Sequence, residues 1–327
     1  MPLFDGVRHS THTVAPIYTC RSENRMKKKI LAVGEILWDV YPDRKTIGGA
    51  PLNFAAHAVR CGAESALLSA VGDDGLGRDA VRVLGDFGVA TRYVQQNGFP
   101  TGQCTVRLDG SGLPVYEILR DTAYDRLTAD EEVQARIAAE HFDALCFGTL
   151  VQRSPISRRA VRAVAEKCPF GEIFCDVNLR EGCYDADSVT YCLSHATILK
   201  ISMEEEPAMR ALAGYLPGEN TPCGIAEAIA AAYRNIKIVL VTLGKDGSFA
   251  YNAVSGDRYR QPSVGDTVVS TVGAGDSFSA AWLTGYLAGE PLERCMKRAA
   301  AVSGIVVAHK EAVPDYVLPE EYRLRAQ

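Results

Sequence analysis

The sequence predicts an α/β protein: a doubly wound, mainly parallel sheet with helices on both faces and a small β-sheet lid. Three observations carry that expectation. Short runs rich in Ile, Val and Leu alternate with longer helical patterns, which is the rhythm of β-α units. Most of those runs are almost continuously apolar, as strands covered on both faces are. Two further segments are turn-rich and break the rhythm, so they leave the main sheet. At 327 residues the chain can bury a large core.

Taken in order, residues 1–25 show neither a helical nor a strand period and no apolar signal-type run, so a disordered extension is expected there. The folded domain is expected over 26–327. Its first strand is KKILAVGEI. LWDVYPDRKTIGGAP and CTVRLDGSGLPVYEIL form the lid, at about 36–48 and 101–122. Asp109-Gly110-Ser111-Gly112 is the hairpin signal in the second of these. Helices are expected over 52–61 and 76–87, on either side of the strand ESALLSAVG. DALCFGTL, EIFCDVNL, ATILKIS and IKIVLVTLG are the next strands, with helices over 155–167 and 224–234 between them. GSFAYNA continues from the last as a hairpin partner, and helices over 275–288 and 291–308 close the domain. No linker-like tract or internal repeat divides the chain.

Composition narrows the function. A net charge of −5 argues against a general nucleic-acid binder, and no apolar run has the length of a membrane span. The ten cysteines show no C-x-x-C pair, so they read as reduced, mostly buried thiols of a cytoplasmic protein. His57, His141, His195 and His309 lack metal-ligand spacing and read as surface or core residues. VGDDGLGRD, 71–79, lacks the G-x-G-x-x-G order, which disfavours a nicotinamide-dependent dehydrogenase. No Walker-type sequence is present either.

In open parallel sheets, ligands bind beyond the carboxyl ends of the strands. The polar residues that end strands here are therefore the candidates. STVGAGDSFSAAWL, 270–283, sets Gly273, Ala274 and Gly275 before Asp276 and a helical apolar period. Bare backbone N–H groups at a helix start favour an anion, and small residues let it approach. GGAPLN, 48–53, places Gly48 and Gly49 before a helix that carries Asn53; with Asp39 it offers backbone approach and directional hydrogen bonds to a polyol. DVNLR, 176–180, puts Asp176, Asn178 and Arg180 at alternate positions, which face one way on an extended chain. Arg180 is a fork for phosphoryl oxygens and Asn178 a neutral donor. VTLGKDGSF, 241–249, is a strand end and a backbone-rich turn through Thr242, Gly244 and Gly247, suited to nucleotide phosphates. Read singly, each stretch is also an ordinary cap, ion pair or turn.

Together, these residues resemble the PfkB family of ribokinase-like carbohydrate kinases. The 42 residues that begin GGAPLNFAAHAVRCG resemble its N-terminal signature, and STVGAGDSFSAAWLTGYLAG its C-terminal one. DVNLR and GEILWDVYP resemble the fructokinase-like branch. The resemblance runs from about Lys28 to about Pro319. It implies a ribokinase-like fold and phosphoryl transfer from ATP, with Mg2+, to a primary hydroxyl, first of all fructose to fructose 6-phosphate. Another sugar, a sugar acid or a nucleoside is the alternative acceptor, and a non-catalytic sugar-binding paralogue the alternative of another class. Asp276 matches the general base; Gly273, Ala274 and Gly275 match the anion hole. Asp39, Gly48, Gly49 and Asn53 match sugar-binding positions, and Thr242, Gly244 and Gly247 the nucleotide turn. Asn178 and Arg180 match residues near the phosphates. Glu205 keeps the acid of the family's N-x-x-E motif and is the metal candidate, although Ser202 stands at its Asn. Ser270 stands where the family has Asp, and Glu311 where Gly is common, so the monovalent-cation site is expected to be altered or absent. A homodimer paired through the lid is also expected.

Overall fold

The computed structural model describes residues 27–108, 114–265 and 267–324. The extension expected over 1–25 and the Asp109–Gly112 turn lie outside the described residues. Strand β1 (Lys29–Val33) sits inside a nine-stranded sheet. Its neighbours on one side are β4 (Glu64–Gly72) and then β5 (Val94–Asn97); on the other they are β8 (Ala144–Phe147), β9 (Glu172–Asp176), β10 (Ile198–Ser202), β11 (Ile238–Thr242), β12 (Ser248–Asn252) and β13 (Arg258–Gln261). Every pairing from β5 to β11 is parallel, and β12 and β13 are antiparallel additions at one edge.

The side chains of β1 show why its run is continuously apolar. Leu31 and Val33 join one buried cluster, Ile30 and Ala32 the other. The first cluster packs under helices α3 (Glu131–Glu140), α4 (Pro155–Lys167), α5 (Ala186–His195), α6 (Glu206–Ala213) and α7 (Pro222–Ala232). The second packs under α1 (Ala50–Arg60), α2 (Gly75–Asp86), α8 (Ala274–Leu287) and α9 (Leu292–Val307). The result is three layers, as a strand with two buried faces requires.

A second sheet of four strands runs β3 (Lys45–Gly48), β2 (Leu37–Val40), β6 (Gly102–Leu108), β7 (Pro114–Ile118). It is tied to the body by Trp38, whose Nε1 donates to the carbonyl of Leu76 at 3.1 Å. The chain order reverses at β1, which pairs with β4 on one side and β8 on the other. The crevice beyond the ends of β1 and β8 is therefore where such a sheet places its ligand. Among the described residues, no helix is long and apolar enough to cross a membrane. The nine cysteines among them are free thiols, eight of them buried.

Candidate active site

A small, partly open cavity of about 20 Å³ lies in that crevice, room for one water. Glu35, just past β1, lines it with Gly148 and Thr149 past β8, Asp176 at the end of β9 and Asn178 just beyond it, Ala50, Pro51 and Phe54 of α1, and Asp276 in the first turn of α8. Five separate stretches of sequence thus meet at the switch point.

Gly273 is the N-cap of α8, with φ +79, a backbone state that side chains rarely adopt. A Cβ there would lie 2.5 Å from the carbonyl oxygen of Ala312. The Ala274 N–H turns back to Thr271 and that of Ser277 to Gly273. The N–H groups of Gly273, Gly275 and Asp276 have no partner among the described residues. This is an open cradle at the positive end of a helix.

Beside the cradle, Asp276 Oδ2 accepts from Asn53 Nδ2 at 2.8 Å, and Oδ1 has no partner among the described residues. Burial pushes the Asp276 carboxyl up to about 6, against the Asn53 hydrogen bond that favours its charge. Asn53 Oδ1 is buried without a partner. A buried acceptor of this kind calls for a donor, and a substrate hydroxyl would supply one.

Gly49 has φ +113, and a Cβ on it would meet the Glu35 carbonyl at 2.4 Å. That close approach brings Glu35 to the start of α1, where its Oε1 accepts from the Ala50 N–H at 3.1 Å. Burial drives the Glu35 carboxyl up to about 7, and the charge of Asp276 adds to that rise. Asp39 lies on β2 of the small sheet, its Oδ2 against Gly48. Burial raises it to about 6, with Arg180 pulling the other way.

The expected DVNLR geometry is corrected in one respect. Alternation requires extended chain, but β9 ends at Asp176 and Asn178 takes a left-handed φ of +42. Asp176 therefore turns inward, accepting from Lys200 Nζ at 3.0 Å and from Ser279 Oγ at 3.0 Å. Arg180 lies apart from this pair, exposed, with no side-chain hydrogen bond or ion pair among the described residues. Its charge nonetheless reaches Glu35, Asp39 and Asp276, lowering all three. Lys200 keeps its charge although burial works against it, because Asp176 and Glu205 outweigh that cost. Its ammonium would lie 3.1 Å from a Cβ on Gly275, so it sits directly behind the cradle.

Glu205 braces backbone. Its two oxygens accept from the N–H groups of Leu179 and Ser202, both at 2.7 Å. Among the described residues, no three His, Cys, Asp or Glu side chains stand together as a metal cage. The donor set fits Mg2+ carried on nucleotide phosphates and waters with few protein ligands, the usual habit of that ion.

Thr242 ends β11, next to Ser202 of β10. Gly244 opens the 3-10 turn Gly244–Asp246 with φ +57 and nothing within 4 Å of a Cβ. Gly247 closes it with φ +95, and a Cβ there would lie 2.1 Å from the Gln261 carbonyl. The turn joins the end of β11 to β12, outside the residues that line the cavity. Glu35, Lys200 and Ser279 were not singled out in the sequence. Glu35 and Lys200 do stand as charged residues beside otherwise apolar strand runs, and that was the available signal.

Residues 27–317 match the pfkB family carbohydrate kinase model. The chain is similar to the ATP-dependent 6-phosphofructokinase of Thermoanaerobacterium thermosaccharolyticum, 27% identical over 309 residues that cover 88% of this chain and 91% of that protein. It is also similar to the 5-dehydro-2-deoxygluconokinase of Bacillus licheniformis, 28% identical over 85% of this chain and 86% of that protein. Among solved structures, an uncharacterized sugar kinase from Pyrococcus horikoshii in complex with ATP superimposes with a TM-score of 0.70, at 25% identity, covering 87% of this chain and 94% of that one.

Proposed function

Because the chain belongs to the pfkB family of carbohydrate kinases and is an ATP-dependent sugar kinase, we propose that Asp276 is the general base that activates a primary hydroxyl, and that fructose is the first acceptor to test. The observation that carries the reading is the pairing of Asp276 with the open N–H cradle of α8. Its free Oδ1 takes the hydroxyl proton as the hydroxyl oxygen attacks the γ-phosphorus. The bond from that phosphorus to the bridging oxygen of ATP breaks, and ADP leaves with the electron pair. In the cradle of Gly273, Ala274 and Gly275, the free N–H groups of Gly273 and Gly275 hold the phosphoryl oxygens while Ala274, its own N–H turned back to Thr271, leaves room for them, and Arg180 and Asn178 serve the transferring group. Phosphoryl transfer depends chiefly on positioning and charge stabilisation, and these residues supply both. Mg2+ on the nucleotide neutralises phosphate charge when bound.

Asp39, Gly48, Gly49 and Asn53 form the sugar side. The orphaned Asn53 oxygen supports this assignment, as does the position of Asp39 against Gly48. Thr242, Gly244 and Gly247 form the nucleotide side. Glu205 reaches the metal through water, since its oxygens already hold backbone. A second reading, a keto sugar acid as acceptor, is favoured by Arg180, whose unpaired charge stands among three site carboxylates, and by the name of the Bacillus relative.

Coupled ATP turnover across sugars, sugar acids and nucleosides tests the proposal. Fructose-dependent turnover supports the first reading, and turnover confined to a sugar acid supports the second. No turnover with any acceptor, despite ATP binding, overturns both.

A further inference from the structure

His57 lies four residues after Asn53, one turn along the same face of α1. Its ring is wholly buried, and both nitrogens are engaged. Nε2 lies 2.9 Å from the Ala312 carbonyl oxygen and Nδ1 2.8 Å from the Tyr316 hydroxyl. The ring stacks on Tyr316 with centroids 5.7 Å apart. A carbonyl only accepts, so Nε2 carries the hydrogen, and Nδ1 accepts from the Tyr316 hydroxyl. Burial holds the imidazole neutral, with its pKa lowered to about 4, so this one tautomer persists throughout the working range.

The carbonyl that His57 holds is the one packed against Gly273. The nearest atoms to a Cβ on Gly273 are all from Ala312: its oxygen at 2.5 Å, its Cα at 2.9 Å and its own Cβ at 3.0 Å. Ala312 belongs to the segment after α9, which has no regular structure of its own to fix it. One face of α1 thus makes two contacts with the transfer site. Asn53 holds the base directly, and His57 holds the wall behind the cradle.

We propose that His57 is a positioning residue for phosphoryl transfer: through the Ala312 carbonyl it fixes the backbone of Gly273, and Tyr316 fixes the tautomer that lets it do so. The inference rests on the reading of Gly273 to Gly275 as the phosphoryl cradle. It predicts a particular kinetic signature. The sugar contacts of Asn53 and Asp39 do not pass through His57, so acceptor binding survives its loss. The N–H groups that meet the transferring group shift, and misplacement by about 1 Å costs on the order of 10²-fold in rate.

The test measures kcat and KM for acceptor and ATP in the full chain carrying His57→Met, His57→Gln, Tyr316→Phe or Gly273→Ala. His57→Met keeps bulk but has no donor, and kcat should fall about 10- to 100-fold with acceptor KM changed less than about threefold. His57→Gln restores an N–H donor and should recover most of that loss. Tyr316→Phe should give a smaller fall in kcat, with the same indifference in KM. A His57→Met enzyme with unchanged kcat, or one whose loss Gln does not recover, overturns the inference. If His57→Met does not fold, Gln and Tyr316→Phe decide, and near-normal kcat in Tyr316→Phe together with a large loss in Gln overturns it. Gly273→Ala separates the two levels. Unchanged turnover in it removes the cradle and the inference together, whereas lost turnover beside a normal His57→Met removes the inference alone.

Discussion

The two sides of the crevice are built differently. On the proposed acceptor side, three carboxylates, Glu35, Asp39 and Asp276, are pushed up by burial to between about 6 and 7. Asp276 is held by a hydrogen bond from Asn53 and Glu35 by one from the Ala50 N–H, while Asp39 has the Cys104 thiol beside it. On the proposed nucleotide side, the turn through Gly244 and Gly247 offers backbone shape, and Gly244 opens onto space. The contrast follows from what each side must do. A base has to be charged, dry and aimed before its substrate arrives, which takes preset side chains. A nucleotide brings its own charge and metal, so a turn of suitable shape can receive it.

The largest break in this contrast is Asp276→Asn. It keeps the shape of the side chain and removes its basicity, and kcat should fall about 10²–10⁴-fold. Sugar binding should stay within a few-fold, read by calorimetry with the acceptor alone. Near-normal turnover would show that the acceptor side is not the chemically active one.

Glu35→Gln reads the cost of keeping that side dry. The Glu35 carboxyl rises from 4.5 to about 7 on folding. Below pH 4.5 it is protonated in both states and contributes nothing to the pH dependence. As pH rises toward 7 the unfolded chain ionises first, and the folded state loses the stability that the raised pKa gave it. Gln keeps the acceptor for the Ala50 N–H and removes that dependence. The variant should therefore be more stable than the parent at pH 8, by on the order of 3 kcal/mol, with the difference nearly gone near pH 4.5. Equal denaturant midpoints at both pH values would sink this account.

These two residues also mark what the sequence could and could not show. Asp276 was legible as a candidate because its signal is local: small residues, an acid and a helical period stand side by side in 270–283. The apolar runs of β1, β4, β8, β9, β10 and β11 were legible because strands buried on both faces have only one composition available. The polar strands VQQN (β5) and RYRQ (β13) were not, because they lie at the ends of the sheet and keep no apolar run. Helix α3 was missed because only Ile137 is buried along it, which leaves little period to detect. The Lys200–Asp176–Ser279 set and the His57–Ala312 contact were not legible either. Each joins residues far apart in sequence, 24 to 255 positions, and only the folded sheet sets them together. Asn178 does line the cavity with Asp276, but it was read for an extended geometry that its left-handed backbone does not have.

Gly247 and Gly244 test whether the nucleotide side works by shape. Gly247→Ala places a Cβ 2.1 Å from the Gln261 carbonyl in a backbone state of φ +95, so the turn must move. The KM for ATP should rise about tenfold, a loss of about 1.4 kcal/mol, with acceptor KM little changed. Gly244→Ala has the strain of φ +57 without the clash, and its effect on ATP should be smaller. If both variants bind ATP normally, the turn is not the nucleotide side.

The smallest effect expected is that of the monovalent cation, and it tests the border between the two sides. The segment that leads into α8 carries Ser270, whose hydroxyl oxygen accepts from the Val272 N–H at 3.2 Å, so the turn closes on itself without a charge. The segment after α9 that packs behind Gly273 has its Ala312 carbonyl turned to His57, and the exposed Glu311 stands next to it. Backbone oxygens committed to internal donors are not available to a cation, and a neutral hydroxyl attracts one weakly. Exchange of sodium for potassium at constant ionic strength should therefore change kcat by less than about twofold, under about 0.5 kcal/mol of barrier. Strong activation by potassium would show that these loops still coordinate an ion. The cradle would then be set by that ion, and the hydrogen bonds of Ser270 and His57 would be secondary to it.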